Sequence, residues 1–600
     1  MRYIVKLLKP HRKSVALVIC LLLVQALCEL RLPTIMSDIV DIGLTRGGVA
    51  DADEAYMALV AAGMADVDVQ MRYLWTMGGK MALMALAAAA AAILIGYIAS
   101  RVGSQVGRDL RRDVFYKVIR FSHKELDDFS TASLITRCTN DIMQVQMVIT
   151  MILRMVLFAP IMGIGGIIMV ATTRSGLGWI VVAAVFGLFL LLMVLMLVAM
   201  PKFKMMQTLV DNVNLVSREI LTGLPVIRAF SRERQEERRF DKANTELRDT
   251  QLFTGRTMAS MMPFMNLIMY GISISIVWFG AAAIQENSLE IGDMMAFMNY
   301  SMQIVMSFMM LSMISIMAPR AIVAADRIRE VLDTEPVITE PFAPMQPEGK
   351  GEIRFDHVSF RYPGAEDCAL EDITFTAAPG TTTAIIGSTG SGKTTLLNLI
   401  PRFYDVTEGA VMLDDTDVRD ISLQHLRDRL GYVPQKAVLF SGTIASNIGY
   451  AGDVDDDTMT TAAEVAQAAG FIGEKAEGYD SHIAQGGSNV SGGQKQRLSI
   501  ARAVASAPDV YLFDDSFSAL DYQTDAALRK ALGEHAADAT VIIVGQRIAT
   551  VMHADQIIVL KEGRIDGIGT HDELLQTCET YQEIAVSQLS AKELGLEVDA

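Results

Sequence analysis

The sequence predicts an α-helical membrane domain of six spans followed by an α/β P-loop domain, and three observations carry that prediction. Apolar residues make up 51% of the 600 and concentrate before residue 320. Six apolar stretches reach the about 20 residues that a helix needs to cross a bilayer. Beyond residue 350, the glycine-rich run GSTGSGKTT at 387–395 follows an apolar, β-branched stretch and precedes a helical one, which is the context a phosphate-binding loop demands.

The spans are expected at 14–44, 74–99, 141–171, 177–200, 257–284 and 290–318, several continuing as helix into water. Long polar loops separate spans two and three, and four and five. They carry Arg101, Arg108, Arg111, Arg112 and Lys117, then Arg232, Arg234, Arg238 and Arg239. The N-terminal segment adds Arg2, Lys6, Lys9, Arg12 and Lys13, whereas the loop after span one carries Asp51, Asp53, Glu54, Asp66 and Asp68. By the positive-inside rule the N-terminus, both long loops and the C-terminal domain share the cytoplasm. The basic start runs into span one without a small-residue cleavage site, so it is read as a retained anchor in the cell membrane.

Within the spans, Glu29, Arg31, Asp38, Asp41 and Arg154 are costly in lipid and should face protein or water. Glu29 either contacts cationic substrates or pairs with an arginine such as Arg154. Fourteen of the 37 methionines lie between 258 and 317, and Met294, Met298, Met302, Met306 and Met310 recur every fourth residue along span six. Methionine adapts to irregular apolar shapes, which suits a cavity for hydrophobic molecules and ordinary helix packing equally well.

In the second half, a strand expected over 381–386 leads into Gly387, Ser388, Thr389, Gly390, Ser391 and Gly392, whose backbone N–H groups converge on phosphate oxygens, with Thr395 in the helix that follows. Lys393 is placed against the β- and γ-phosphates, and Thr394 offers its hydroxyl to Mg²⁺. Asp514, ending the apolar strand VYLFD, is the second expected metal contact.

The loop together with VSGGQ at 490–494 resembles the ATP-binding-cassette (ABC) ATPases over residues 351–590. That resemblance implies ATP and Mg²⁺ as ligands and a helical subdomain beside the sheet. It also implies roles for Tyr362 as a ring stacked on adenine, Gln435 in GYVPQ at the metal and water, Ser491, Gly492, Gly493 and Gln494 as the signature, and Asp521 closing SALD. Six spans before a cassette resemble the exporter-type half-transporter, with domains at 1–330 and 351–590, a linker at 331–350 and a tail at 591–600. In that architecture the long loops end in short helices that dock on the cassettes, expected around Ser122 to Ser130 and Met206 to Asn214.

Three departures from the family pattern stand out. Asp515 occupies the catalytic glutamate position and is one methylene shorter. Gln546 occupies the switch histidine position and cannot become cationic. The usual V-G-E-R-G before the signature reads Ile483, Ala484, Gln485, Gly486, Gly487. Cassettes of this family pair head to tail, so the resemblance implies one half of an unequal, heterodimeric multidrug exporter: a slow ATP site of its own and an intact signature lent to the partner. The alternatives are a slow homodimeric exporter, or a transporter of peptides, lipids or metal chelates. An ATP-gated channel or regulatory subunit is the reading from a different class, and dye accumulation against a gradient separates it from a pump.

The net charge of −17 falls mainly on the soluble half and outer loop, where it serves solubility, and no nucleic-acid partner is expected. The expected partners are a second half-transporter, the lipid bilayer and a small hydrophobic substrate. Five cysteines (Cys20, Cys28, Cys138, Cys368, Cys578) lack metal or C-x-x-C spacing and read as free thiols.

Overall fold

The computed structural model describes residues 2–45, 66–173, 176–286 and 288–589. It divides into two compact units, Met1–Val118 with Ala132–Thr334, and Ile119–Thr131 with Glu335–Ala600. The acidic residues Asp51, Asp53 and Glu54 and the expected tail at 591–600 lie outside the described residues.

In the first unit, among the described residues, six helices are long and apolar enough to cross a membrane. Those of spans two, four and five run Asp66–Ile119, Gly178–Thr222 and Glu233–Gln285, at 54, 45 and 53 residues. A helix of 50 residues is about 75 Å long, so each extends well past a hydrocarbon core of about 30 Å. Their outer faces are apolar and open, with Ile93 and Trp278 more than 70% exposed, as lipid contact requires. Small residues let the helices approach. A Cβ at Gly166 would lie 2.8 Å from Ile304, and one at Gly280 would lie 2.8 Å from the Met294 sulfur, so packing here depends on missing side chains.

The structure accounts for one of the costly charges. Asp41 lies in the π-helical end of span one, Ile39–Thr45, and is buried. Its carboxylate accepts hydrogen bonds from the backbone N–H of Gly292 at 2.7 Å and of Asp293 at 3.2 Å. Asp41 therefore caps the N-terminus of span six, Ile291–Asp333, where orphan N–H groups and the helix dipole favour an anion. Glu29 accepts instead from Gln25 Nε2 at 2.8 Å, and among the described residues it makes no ion pair with Arg154.

The methionine stripe of span six is divided. Met294 and Met298 pack into the apolar cluster around Ile276 and Phe297, while Met302 and Met306 are exposed. The stretch Met206 to Asn214, expected as a docking helix, instead continues the helix Gly178–Thr222. The break falls at Gly223, and a short helix Leu224–Ala229 follows, with Pro225 in its first turn. Proline lacks the N–H an interior position needs but suits a helix start.

Among the described residues the second unit holds three sheets, of four, six and two strands. The first has four antiparallel strands in the order β2-β1-β4-β5: β1 (Ile353–Phe360), β2 (Leu370–Ala377), β4 (Glu408–Leu413) and β5 (Thr416–Asp417). The second has six, in the order β12-β11-β3-β10-β9-β6. They are β3 (Thr382–Gly387), β6 (Leu430–Val433), β9 (Val510–Asp514), β10 (Thr540–Val544), β11 (Gln556–Lys561) and β12 (Arg564–Gly569). Five run parallel and β12 pairs antiparallel to β11. β9 and β10 are buried at every position, which explains why VYLFD and TVIIV are continuously apolar rather than alternating.

Among the described residues three apolar cores divide this unit. Phe355, Phe375, Leu396 and Leu397 belong to the first, Ile448, Phe471, Leu498 and Ile500 to the second, and Ile386, Ile548, Val559 and Tyr581 to the third. The phosphate-loop helix sits on the first and the signature helix on the second.

The expected first docking stretch folds as the helix His123–Phe129 within this unit. Glu125 Oε2 accepts from Ser122 N at 2.7 Å and Ser122 Oγ at 2.6 Å, and Oε1 accepts from Val337 N at 3.2 Å. The His123 ring lies 4.6 Å from that of Phe403, and Tyr404 Oη donates to Asp127 at 3.4 Å. Burial pushes the Glu125 carboxyl up, but hydrogen bonds from Ser122 and Val337 outweigh it and hold the group below the ordinary glutamate range. A depressed folded value means stability present above the unfolded value and lost as pH falls through the folded one. Glu125→Ala should therefore cost about 1–3 kcal/mol near neutrality, with the deficit shrinking in acid. Thermal unfolding of the purified protein across pH checks this; a deficit that grows in acid would contradict it.

Candidate nucleotide site

The parallel sheet gathers the site at the carboxyl ends of three neighbouring strands, the place where open α/β sheets bind ligands. β3 delivers the phosphate loop, β9 delivers Asp514 and Asp515, and β10 leads to Gln546. Gln435 lies just beyond β6.

Gly390 and Gly392 adopt φ of +85° and +99°, which L side chains rarely tolerate. A Cβ at Gly392 would also meet Leu370 at 2.7 Å and the Ala369 carbonyl at 2.9 Å. The loop thus turns sharply into the helix Lys393–Leu399, whose N-terminal N–H groups are available to an anion. Lys393 Nζ donates to the carbonyls of Gly387 at 2.9 Å and Ser388 at 2.7 Å. Burial pushes this ammonium down while the carboxylates of Asp515 and Asp514 oppose the shift.

Thr394 Oγ1 donates to Asp514 Oδ1 at 2.9 Å. Burial pushes the Asp514 carboxyl up, against the Thr394 hydrogen bond and the Lys393 charge. A hydroxyl and a carboxylate side by side are hard oxygen donors of the kind Mg²⁺ takes together with phosphate oxygens. Ser391 Oγ is buried without a hydrogen-bond partner among the described residues, a donor set in a loop that otherwise presents N–H groups. These residues fit a magnesium-bound triphosphate.

Tyr362 Oη shares a hydrogen bond of 2.8 Å with Thr395 Oγ1, and its ring packs edge-on to Phe360 and Tyr404. The expected adenine platform is therefore tied to the phosphate-loop helix. Neither Ser388 nor Thr389 donates a side-chain bond among those described.

Asp515 sits at φ +45° and is half-buried. Its Oδ2 accepts from Gln546 Nε2 at 2.9 Å and Gln435 Nε2 at 3.2 Å. The three residues are thus one hydrogen-bonded group, a contact that residue types alone had not disclosed.

Ser491 caps the helix Gly492–Ala505. Its Oγ accepts from Gln494 N at 3.3 Å and its own N–H donates to Gln494 Oε1 at 3.1 Å, the reciprocal box that fixes a helix start. Ser491 and Gly492 are exposed and Gly493 is half-buried. Asp521 likewise caps Tyr522–His535, accepting from Thr524 N at 3.0 Å and Thr524 Oγ1 at 2.7 Å; these bonds hold it below the usual aspartate range. The altered run forms strand β8 (His482–Ile483), paired with β7 (Gly442–Thr443), and then a tight turn with Gly486 and Gly487 at φ +64° and +66°. No described cysteine is in a disulfide.

Residues 15–308 match the family model for the ABC transporter transmembrane region, and residues 370–518 match the model for ABC transporter. The chain is similar to an uncharacterized ABC transporter ATP-binding protein of Mycobacterium tuberculosis (strain CDC 1551 / Oshkosh), with 41% identity over 98% of each chain. It is also similar to the uncharacterized YfiB of Bacillus subtilis (strain 168), with 36% identity over 97% of each. A multidrug efflux ATP-binding/permease protein of M. tuberculosis (strain ATCC 25618 / H37Rv) is 30% identical over 84% of this chain and 42% of that one. Among solved structures, a bacterial Atm1-family ABC exporter with ATP bound superposes with a TM-score of 0.76 at 25% identity, covering 96% of this chain and 98% of that one.

Proposed function

The chain belongs to the ABC transporter family as an exporter-type chain, a membrane domain joined to a cytoplasmic ATPase that drives transport, and from that premise we propose that it works as the slow-site half of an unequal pair. The half-transporter fold requires a second ABC chain. The observation that supports inequality is the hydrogen bond between Asp515 and Gln546 at 2.9 Å.

A catalytic carboxylate must reach the attacking water within hydrogen-bond distance, and about 1 Å of misplacement can cost about a hundredfold. Asp515 is short, and its Oδ2 is engaged by two amides. Gln546 offers the γ-phosphate a hydrogen bond without charge. The phosphate loop is intact, so Lys393 and the loop N–H groups hold the β- and γ-phosphates, and Thr394, Gln435 and Asp514 hold Mg²⁺, which neutralises phosphate charge when bound. Tyr362 stacks on adenine. The consequence is a site that binds well and hydrolyses slowly.

Ser491, Gly492, Gly493 and Gln494 stand on the second core of the same unit, at a helix N-terminus where Ser491 and Gly492 are exposed, and complete the partner's site together with Asp521. Nucleotide binding drives closure because the closed pair binds ATP more tightly than the open one; only differential affinity shifts an equilibrium. The substrates are hydrophobic or amphipathic compounds, a reading supported by methionines on the spans and by the multidrug relative.

Asp515→Glu with Gln546→His tests the cause of the slow site. With the partner's catalytic glutamate changed to glutamine, the double variant should hydrolyse about tenfold faster than the parent pair, a partial recovery of the about hundredfold geometric loss. Each single change should give much less than the two together, since groups acting as a unit are not additive. No gain, measured with a consensus signature in the partner, would move the blame to Ile483 to Gly487.

A further inference from the structure

Arg154 lies on span three in the π-helical turn Ile152–Val156, a kind of turn that recurs at functional sites. At 1.5 Å per residue it is about 20 Å from the nearer end of the apolar stretch. Its guanidinium is exposed and, among the described residues, has neither ion-pair nor hydrogen-bond partner. Span two faces it with Gly96, where even a Cβ would stay 4.0 Å from the guanidinium carbon, so no side chain from that position competes for it. A charge at this depth is retained at a cost and belongs to a water-filled or substrate-lined path.

The guanidinium opens on a cavity of about 670 Å³, and among the described lining residues it is the one charged group. That volume lies in the range of small-molecule sites. Two parallel lines of side chains run along span three at every fourth residue. Gln146 and Arg154 lie on the polar line; Met147, Met151 and Met155 lie on the adjoining apolar one, and Met317 contributes from span six. Side chains at i and i+4 share a face of a helix. The cavity wall is therefore amphipathic along its length.

We propose that this cavity binds an amphipathic organic anion. The Arg154 guanidinium takes the carboxylate, sulfonate or phosphate group, for which its planar fork of donors is matched, and the methionines take the apolar body, to which they adapt without a fixed shape. The proposal rests on the export of amphipathic compounds and narrows it to a charge class, opposite to the cationic class that Glu29 suggested from sequence.

The test uses inverted membrane vesicles carrying the full chain with its dimer partner and two matched probes, N-dansyl-leucine, an anion, and N-dansyl-leucinamide, its uncharged analogue. ATP-dependent uptake of the anion should saturate at a lower concentration than that of the amide. Arg154→Gln should raise the half-saturating concentration of the anion about tenfold, worth about 1.4 kcal/mol, and change that of the amide less than about twofold on the same scale. Arg154→Lys should recover part of the loss. Unchanged amide uptake shows that the variant folds. An equal loss for both probes, or for neither, overturns the proposal. Uptake of a hydrophobic cation with none of the anion overturns it while leaving the exporter of amphipathic compounds standing; no ATP-dependent uptake of any of the three contradicts that reading as well.

Discussion

Ser491→Arg should stop ATP hydrolysis by the pair while leaving nucleotide trapped at this chain's own phosphate loop. Ser491 and Gly492 are exposed at the N-terminus of Gly492–Ala505, with Gly493 half-buried beside them. In the proposed head-to-tail pair the Ser491 hydroxyl and the N–H groups of Gly492 and Gly493 would meet the γ-phosphate held by the other chain. Preorganised donors aimed at developing charge are worth about 10²–10³ in rate, and arginine at this position removes the hydroxyl and fills the gap. The local cost is a lost helix cap, about 1 kcal/mol, too little to unfold the cassette. Trapped nucleotide per pair and steady-state turnover, measured on the same preparation, separate the two sites. Loss of all binding, or turnover within about twofold of the parent on that scale, would contradict the assignment of the signature to the partner.

Short-range chemistry made the cassette legible. The phosphate loop occupies consecutive residues between a strand and a helix, so Gly387 to Thr395 announce the strand, loop and helix found there. The continuous apolar run at Val510–Asp514 likewise reports a strand buried on both faces. Contacts across the chain were not legible in this way. Asp515 and Gln546 are 31 residues apart and their hydrogen bond follows from β9 and β10 being neighbours. Asp41 looked like an expensive membrane charge because its partners, the N–H groups of Gly292 and Asp293, lie 251 and 252 residues away.

The misplaced docking stretch has a physical cause. Apolar periodicity marks where a helix meets lipid, but it does not change where the same helix continues into water, so Met206 to Asn214 read as a separate element when only Gly223 and Pro225 interrupt the helix. The sequence left Glu29 open between a cationic substrate and an arginine such as Arg154; in the structure it accepts a hydrogen bond from Gln25, one turn away on the same helix. The cavity at Arg154 had a visible sign, the methionines at 143, 147, 151 and 155.

As the slow-site half proposed above, this chain would bind ATP well and hydrolyse it poorly, and would lend its signature to a partner site that hydrolyses fast. A lone chain, even if it dimerises with itself, would place an intact signature over two slow sites, each with Asp515 held by Gln546 and Gln435. On that proposal the deficit lies in the position of the carboxylate, so saturating ATP should not restore the rate. The most direct measurement is steady-state ATP turnover of the purified chain alone and co-purified with a second half-transporter that has glutamate and histidine at the two positions, both at saturating Mg²⁺ and ATP. The account predicts that the lone chain is slower by about a hundredfold or more. Turnover by the lone chain comparable to that of the pair, and abolished by Asp515→Asn, would contradict it.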